Sequence, residues 1–515
     1  FSNLIQGNDY WRKRGIRGPT PGLLFGNCVH YFTKYKCMQD LTWGKRFGKI
    51  YGYFMCKTPI LVIGDPELIR DIMIKDWSLF TDRSLIMKTN GATITKAIYQ
   101  QDASRKRLIR DLISPAYTSG KLRKIYPKIG KSLGDMDNYL SRVINDHGGK
   151  NVVIDIKYVW QTFTVDAYPK CGMSVNTSAY NTPQNELAIC LRRFIDVDIR
   201  RELLSIMLPS FMSNWPKLGN QRVIQYLLRT FREICNERLQ TRNYKHYIDF
   251  LQLLMETQAV PGSTNLTNID KQDSERLRLS DHELTAQAFA FIAGGNKPTL
   301  AALTACTYEL ALNPDIQQRL YDEITASTPD SSDISYEALT QMPYLDAVVS
   351  ESLRLYPPAV RLVRQVTSAY SLGETGISIE PGQHVEIPIY NIQHSGEYYE
   401  NPEKFDPDRF MPENKHKLVP YTFMPFGLGP RTCIGMRFGL LVMKCALAHF
   451  IKRYRVYRIP DTDIPLQYKR LMTIRMPKRC MVGIEPRIFL YKNYNKWTKL
   501  GIKGPKPIPV IRYFD

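Results

Sequence analysis

What this chain lacks narrows it first. Its ten cysteines (Cys28, Cys37, Cys56, Cys171, Cys190, Cys235, Cys306, Cys433, Cys445 and Cys480) include no C-x-x-C pair. Neither a structural zinc site nor the disulfide framework of a small secreted domain is expected. Scattered single cysteines suit a reducing compartment. No run of 18 or more apolar residues occurs, so no segment of this sequence is expected to span a bilayer. A signal-peptide pattern is also missing. There is no zinc-finger spacing, RNA-recognition signature or long basic tail, so nucleic acid is not an expected partner. His282-Glu283 has no second His three residues on, which removes the H-E-x-x-H metalloprotease site.

Acidic residues are in deficit, 49 against 70 Lys and Arg, for a net charge of +21. Such an excess calls for an anionic counterpart, either a membrane leaflet or an acidic protein. With 43% hydrophobic and 23% charged residues the chain is neither wholly disordered nor fibrous. Its 515 residues are enough to bury a bulky cofactor without disulfides. The first residue is Phe1, not Met, so a preceding segment with an anchor is expected.

One internal repeat is present. Trp11 to Pro21 and Trp497 to Pro507 agree at seven of eleven positions: Trp, Lys, Gly, Ile, Gly, Pro and Pro. A solenoid repeats every ~20–50 residues, so this is no solenoid. The expectation is one large module over 1–487 and the start of a second over 488–515.

Apolar residues at three- and four-residue spacing predict helices over Gly130–Ile144, Gln221–Arg242, Ser280–Leu312 and Leu339–Leu355. Ser280 followed by Glu283 is a capping pattern at a helix start. Short strands are expected at Ile50–Phe54, Pro59–Ile63, Ile377–Ile379 and Val385–Pro388, and a polar surface loop at Pro261–Arg278. The class is mainly α with small β-sheets.

Pro425-Phe-Gly-Leu-Gly-Pro-Arg-Thr-Cys433-Ile-Gly435 is the most informative stretch. Its glycines at 427, 429 and 435 permit positive φ and let the backbone approach something flat and bulky. Cys433 precedes a strong helix pattern, Gly435 to Tyr454. A cysteine near a helix N-terminus, with Arg431 beside it, is stabilised as thiolate. Such a thiolate is a nucleophile or a metal ligand, and no His stands near it in sequence to serve as a base.

This stretch resembles the heme-binding loop of the cytochrome P450 superfamily, F-x-x-G-x-R-x-C-x-G, with Phe426, Gly429, Arg431, Cys433 and Gly435 in place. The resemblance implies a triangular prism with a long distal helix over heme b. It makes Cys433 the thiolate ligand of the iron, with O₂ as co-substrate. Glu351-Ser-Leu-Arg354 matches the family's E-x-x-R, whose members share one helix face. Arg409, in F-D-P-D-R-F, would complete that network. Ser114-Pro-Ala-Tyr-Thr-Ser-Gly and Gly15-Ile-Arg-Gly-Pro-Thr-Pro resemble two further landmarks, so the likeness runs from about Trp11 to Arg487. It is most similar to the vertebrate 3A and insect 6 and 9 branch of microsomal members.

The resemblance further implies that Arg83, Arg110, Arg364 and Arg431 meet the heme propionates, since guanidinium forks suit carboxylates. Where the family has W-x-x-x-R, this chain has Lys106-Arg-Leu-Ile-Arg110, so Lys106 replaces an indole donor with a point charge. The distal helix departs more. In place of A-G-x-[D/E]-T it reads Ala293-Gly294-Gly-Asn296-Lys297-Pro298-Thr299. Asn296 cannot titrate, and the Lys297 ammonium has no acceptor lone pair. Pro298 removes the bond to the Gly294 carbonyl and should kink the helix there. Three placements of Lys297 are open: turned away to a propionate or a Glu, serving as a proton donor, or ligating the iron.

The implied function is a heme-thiolate monooxygenase inserting one O₂-derived oxygen into a lipophilic small molecule such as a xenobiotic, steroid or fatty acid. Electrons would come from NADPH-cytochrome P450 reductase, with cytochrome b5 as a second partner, at the cytosolic face of the endoplasmic reticulum membrane. The alternatives are a reductase-independent isomerase or dehydratase of lipid peroxides and a non-catalytic heme-binding pseudoenzyme. The acidic electron donor is expected to dock near Lys444, Lys452, Arg453 and Arg455. Leu203–Met212 with Trp215 would line a substrate entrance at the membrane surface. The sequons at Asn176 and Asn265 would stay unused on the cytosolic side.

Overall fold

The computed structural model describes residues 9–22, 25–28, 30, 35–81, 103–148, 152–196, 221–241, 247–259, 279–328, 333–469 and 474–487. Among them are eleven helices of ten residues or more. They are α1 (Lys36–Phe47), α2 (Ala103–Ile113), α3 (Ser119–Asp146), α4 (Ile156–Met173), α5 (Glu186–Ile195), α6 (Gln221–Thr241), α7 (Phe250–Ala259), α8 (Asp281–Leu312), α9 (Pro314–Ser327), α10 (Pro343–Leu355) and α11 (Met436–Arg453). The second repeat copy, the stretch 203–215, the loop 261–278 and Asn265 lie outside the described residues.

The amphipathic helices arise as their patterns require. In α3, Leu122, Ile125, Ile129, Leu133, Met136, Leu140 and Ile144 form one buried stripe. At α8 the capping box closes reciprocally: the Glu283 N–H donates to Ser280 Oγ and the Ser280 N–H donates to the Glu283 carboxylate at 2.9 Å. The helix expected over Leu339–Leu355 is instead two, Tyr336–Thr340 and α10. Pro343 has no N–H to continue the first helix, and it holds Met342 at φ −110°, ψ 85°, outside the helical region. The same residue then serves as a favourable first position for α10. By contrast, Pro298 sits inside α8, which runs unbroken from Asp281 to Leu312. α4 is buried nearly all round, from Ile156 to Met173, and so has no polar stripe to announce it.

Three small sheets flank the helices. The first orders β1 (Ile50–Met55), β2 (Thr58–Ile63), β7 (His384–Ile387) and β4 (Leu362–Gln365). β2 and β7 are parallel, with Ile60 opposite His384, and the other pairs are antiparallel. The second orders β3 (Val152–Asp155), β9 (Met481–Pro486) and β8 (Tyr454–Tyr457); the third pairs β5 (Tyr370–Ser371) with β6 (Ser378–Ile379).

α8 runs through the main core and packs on α4, α6, α10 and α11. The Trp160 indole of α4 donates to Thr307 Oγ1 of α8 at 3.0 Å, tying the two buried helices together. A second core lies under the first sheet. There Trp11, from the first repeat copy, donates to the Tyr53 carbonyl at 3.1 Å. Its ring lies over Gly52, where a Cβ would sit 2.2 Å from the indole, so only glycine fits.

His394, buried after Gln393, stacks on Tyr390 with ring centroids 3.8 Å apart. Burial first, and then the Arg475 charge, lower its pKa from 6.5 to about 3. The unfolded chain therefore binds a proton that the folded chain refuses. The stability this neutral imidazole contributes is complete above pH 6.5 and is lost as pH falls toward 3. Between pH 7 and pH 5 the loss should be about 2 kcal/mol. Urea midpoints measured at both pH values should show this gap in the native protein and a narrower one in His394→Gln.

Candidate active site

The cysteine loop is shaped by its backbone. The Cys433 N–H donates to the Phe426 carbonyl at 2.8 Å and the Thr432 hydroxyl to the same oxygen at 3.2 Å. Gly427 and Gly429 adopt φ +77° and +68°. At Gly429 a Cβ would lie 1.9 Å from the Met73 carbonyl, so glycine is required both for conformation and for the close approach. Gly435 differs from the expectation. It caps α11 at φ −85°, a conformation open to any residue. Cys433 itself is exposed while α11 behind it is largely buried. The loop thus presents one thiol outward, two residues before a helix cap whose N–H groups favour negative charge.

Of the cations implied to meet the propionates, Arg110, Arg364 and Arg431 lie at or beside this loop. Arg110 of α2 donates from Nη2 to the Thr432 carbonyl at 3.0 Å, joining that helix to the residue before Cys433. Arg364 is 3% exposed on β4, two residues from Leu362, whose side chain borders Gly427. Residues two apart on a strand share a face, so Arg364 is on the loop's side. Arg431 lies in the 3-10 turn Gly429–Arg431. Lys106 belongs to α2, but its side chain lies outside the described residues, as does all of Arg83.

Two tyrosines near Cys433 were not foreseen. Burial, and after it the charge of Cys433, push the Tyr117 phenol well above its usual range. Tyr168 of α4 is raised by burial too, with Cys433 a smaller cause, and its hydroxyl lies 2.6 Å from Thr299 Oγ1. Both phenols are neutral donors at physiological pH. Only the fold brings them here, since Tyr168 stands 131 residues from Thr299.

On α8 the residues at the altered motif diverge. The Lys297 ammonium lies over the Phe194 ring of α5, 4.5 Å from its centroid, a cation–π placement turned to the α5 side of the helix. Asn296, 2% exposed, has neither amide atom hydrogen-bonded. It faces a tight apolar crevice between α5, α6 and α8, lined by Phe194, Leu227, Phe231, Phe289 and Ala293. A Cβ on Gly294 would meet nothing within 4 Å, whereas on Gly295 it would strike the Tyr168 ring. Asn296 and Lys297 thus do not rebuild an acid–alcohol pair, and the Thr299 hydroxyl instead pairs with a phenol.

Behind the loop, Glu351 and Arg354 form a bidentate pair at 2.7 and 2.8 Å with both side chains fully buried. Arg409 approaches the same carboxylate at 3.5 Å. The four cations expected to form a docking patch are each ion-paired or buried. Lys452 is 2% exposed and donates to the Thr328 carbonyl and hydroxyl. Lys444 pairs with Asp346 at 2.6 Å, Arg453 with Asp137 at 3.1 Å and Arg455 with Glu485 at 2.9 Å. Charges compensated in this way give little field to steer an acidic partner.

The Cytochrome P450 family model matches residues 16–484. The chain belongs to the cytochrome P450 family. It is 36% identical over 468 residues to cytochrome P450 3A25 of Mus musculus, covering 89% of each chain. To cytochrome P450 3A5 of Homo sapiens it is 34% identical over 487 residues, 93% of this chain and 92% of the other. The protein is therefore a P450 monooxygenase, an oxidoreductase of lipophilic substrates whose cofactor is heme b with a cysteine thiolate and whose co-substrate is O₂. The residues present fit that group. One outward thiol stands on a glycine-shaped loop, and Arg110 and the buried Arg364 border it. No cluster of three or more His, Cys, Asp or Glu among the described residues offers a protein-only metal site instead. Among those residues no helix is long and apolar enough to cross a membrane.

Proposed function

We propose that this P450 takes electrons from NADPH-cytochrome P450 reductase, assisted by cytochrome b5, and oxygenates a xenobiotic, steroid or fatty acid at the cytosolic face of the endoplasmic reticulum membrane. The observation that supports it most is the outward Cys433 thiol on the Phe426–Gly435 loop, bonded to α2 through Arg110. Cys433 would hold the iron, and Arg110, Arg364 and Arg431, with Arg83 and Lys106, would hold the propionates. Heme, when bound, supplies the redox chemistry with O₂.

The chain's own residues bind, exclude water and hold protons. The crevice beside Asn296 is too tight to admit a substrate as it stands; once opened, its apolar walls would suit a lipophilic body and the bare Asn296 amide one carbonyl or hydroxyl on it. The proton that an acid–alcohol pair would hold is held between Thr299 Oγ1 and the Tyr168 hydroxyl, 2.6 Å apart in a buried site. Its test is NADPH consumption with reductase and a panel of lipophilic substrates, set against turnover of a fatty-acid hydroperoxide without reductase. Product formed only in the first assay supports the monooxygenase. Product formed only in the second transfers the assignment to a peroxide isomerase or dehydratase, and none in either to a heme-binding pseudoenzyme.

Lys297 does not ligate iron in this reading, because its ammonium is placed over Phe194. Lys297→Ala should leave the ferric absorption spectrum unchanged. A nitrogen-ligand signature that disappears in this variant would reverse the reading.

A further inference from the structure

A second thiol site lies far from Cys433 in sequence. Cys28 and Cys56 approach to 3.5 Å between sulfurs, and the Cys56 N–H donates to Cys28 Sγ at 3.1 Å. Backbone on both sides fixes this proximity. The segment around Cys28 runs against β1: Gly26 bridges Met55, and the Asn27 N–H donates to the Phe54 carbonyl at 2.8 Å. The Phe54 N–H in turn donates to Asn27 Oδ1 at 2.9 Å. Cys56 occupies the turn between β1 and β2 at φ +54°. That left-handed conformation is disfavoured for a side chain with Cβ, and glycine or asparagine would adopt it more readily. The two-residue turn between β1 and β2 imposes that conformation, and it holds the Cys56 sulfur beside the second cysteine.

We propose that Cys28 and Cys56 are an oxidation-sensitive dithiol that closes to a disulfide under hydrogen peroxide. Closure has to shorten the sulfur separation from 3.5 Å to the bond length of about 2 Å. Cys56 is partly exposed and Cys28 is 1% exposed, so peroxide meets Cys56 first. The hydrogen bond shared with Cys28 lowers the Cys56 pKa, against the opposing effect of burial, which favours Cys56 as the attacking sulfur.

The Cys56 thiolate attacks one peroxide oxygen: an S–O bond forms, the O–O bond breaks and hydroxide leaves. Cys28 then attacks the Cys56 sulfenic acid: the S–S bond forms, the S–O bond breaks, and the departing hydroxide takes the Cys28 proton as water. The two thiols lose two electrons in total, and one peroxide is reduced to two waters. The bond would fasten residues 25–28 to the β1–β2 turn.

The test treats the heme-loaded protein with equimolar hydrogen peroxide, alkylates it with iodoacetamide, and measures intact mass and peptides. The expected protein is about 2 Da lighter before alkylation, carries a Cys28–Cys56 cross-linked peptide, and is restored by dithiothreitol. Cys28→Ser and Cys56→Ser should each abolish the cross-link with the heme spectrum retained. Alkylation of both cysteines after peroxide, or a Cys56 sulfinic acid with no cross-link, would overturn the proposal. Should either variant not fold, the peptide map of the native protein decides alone.

Discussion

Cys433→Ala should fold, yet show no red-shifted Soret band in the reduced protein under carbon monoxide, and its substrate turnover should fall to background. The reasoning is local. The bonds that shape the loop are mostly backbone: Cys433 N–H to the Phe426 carbonyl at 2.8 Å, and Met436 N–H to the Cys433 carbonyl at 3.3 Å. Alanine keeps both. Cys433 belongs to no buried hydrophobic cluster of the core, so its loss leaves no cavity there. What would disappear is the thiolate proposed to hold the iron, whose electron donation would favour O–O cleavage. Cys306, buried in α8, and Cys445, buried in α11, provide the contrast. Alanine at either should retain the band and cost stability instead, by about 1–2 kcal/mol for a small buried thiol. Survival of the band in Cys433→Ala would remove this residue from the site.

The parts of the site that could be read from sequence are those whose partners are close in sequence. The loop from Phe426 to Cys433 is one such case, and the i,i+3 pair of Glu351 and Arg354 is another. The break before α10 was equally local, since Pro343 was in plain view, but the apolar period carried the expected helix across it. Other features need the fold. β3 pairs with β9 through Val152 and Ile484; β3 has only four residues, and β9 is buried at the consecutive positions 482–484, so it shows no alternation. Lys452 reads as a surface charge at a helix end until Thr328 is found capping its ammonium from 124 residues away. The Tyr168–Thr299 hydroxyl pair and the Cys28–Cys56 thiol pair are likewise meetings of separate elements. In each, one partner lacks a local pattern that would single it out. The net charge of +21 is a property of the whole chain and does not locate a docking face. Salt bridges at Lys444, Arg453 and Arg455 hold three of the four cations expected to form one.

Arg354→Ala should be the most damaging single change away from the thiol, destabilising the fold by about 3–5 kcal/mol and lowering heme retention with it. Arg354 is fully buried. Besides its two bonds to Glu351, it donates to the Gln393 carbonyl at 2.8 Å and the Lys404 carbonyl at 3.2 Å. Its guanidinium also lies over the Tyr399 ring, 5.0 Å from the centroid. Truncation strands a buried carboxylate and two carbonyls at once, and an unpaired buried charge costs far more than an exposed pair contributes. The Asp406 N–H at 2.9 Å and Arg409 at 3.5 Å would be left to hold Glu351. Lysine cannot substitute, because one ammonium does not reach carboxylate and carbonyls in a fork. The defect should depend on pH in a defined direction. Burial already raises the Glu351 carboxyl, against the lowering effect of Arg354. Without that cation it rises further, and the protonated form becomes the cheaper one to bury. A raised carboxyl contributes most at low pH and loses that contribution as pH climbs. Urea unfolding of Arg354→Ala should therefore show a smaller deficit at pH 5 than at pH 8. The double variant Glu351→Gln, Arg354→Met, which buries no charge, should recover part of the loss. A deficit below about 1 kcal/mol that does not change with pH would mean that this network is not what holds the proximal side together.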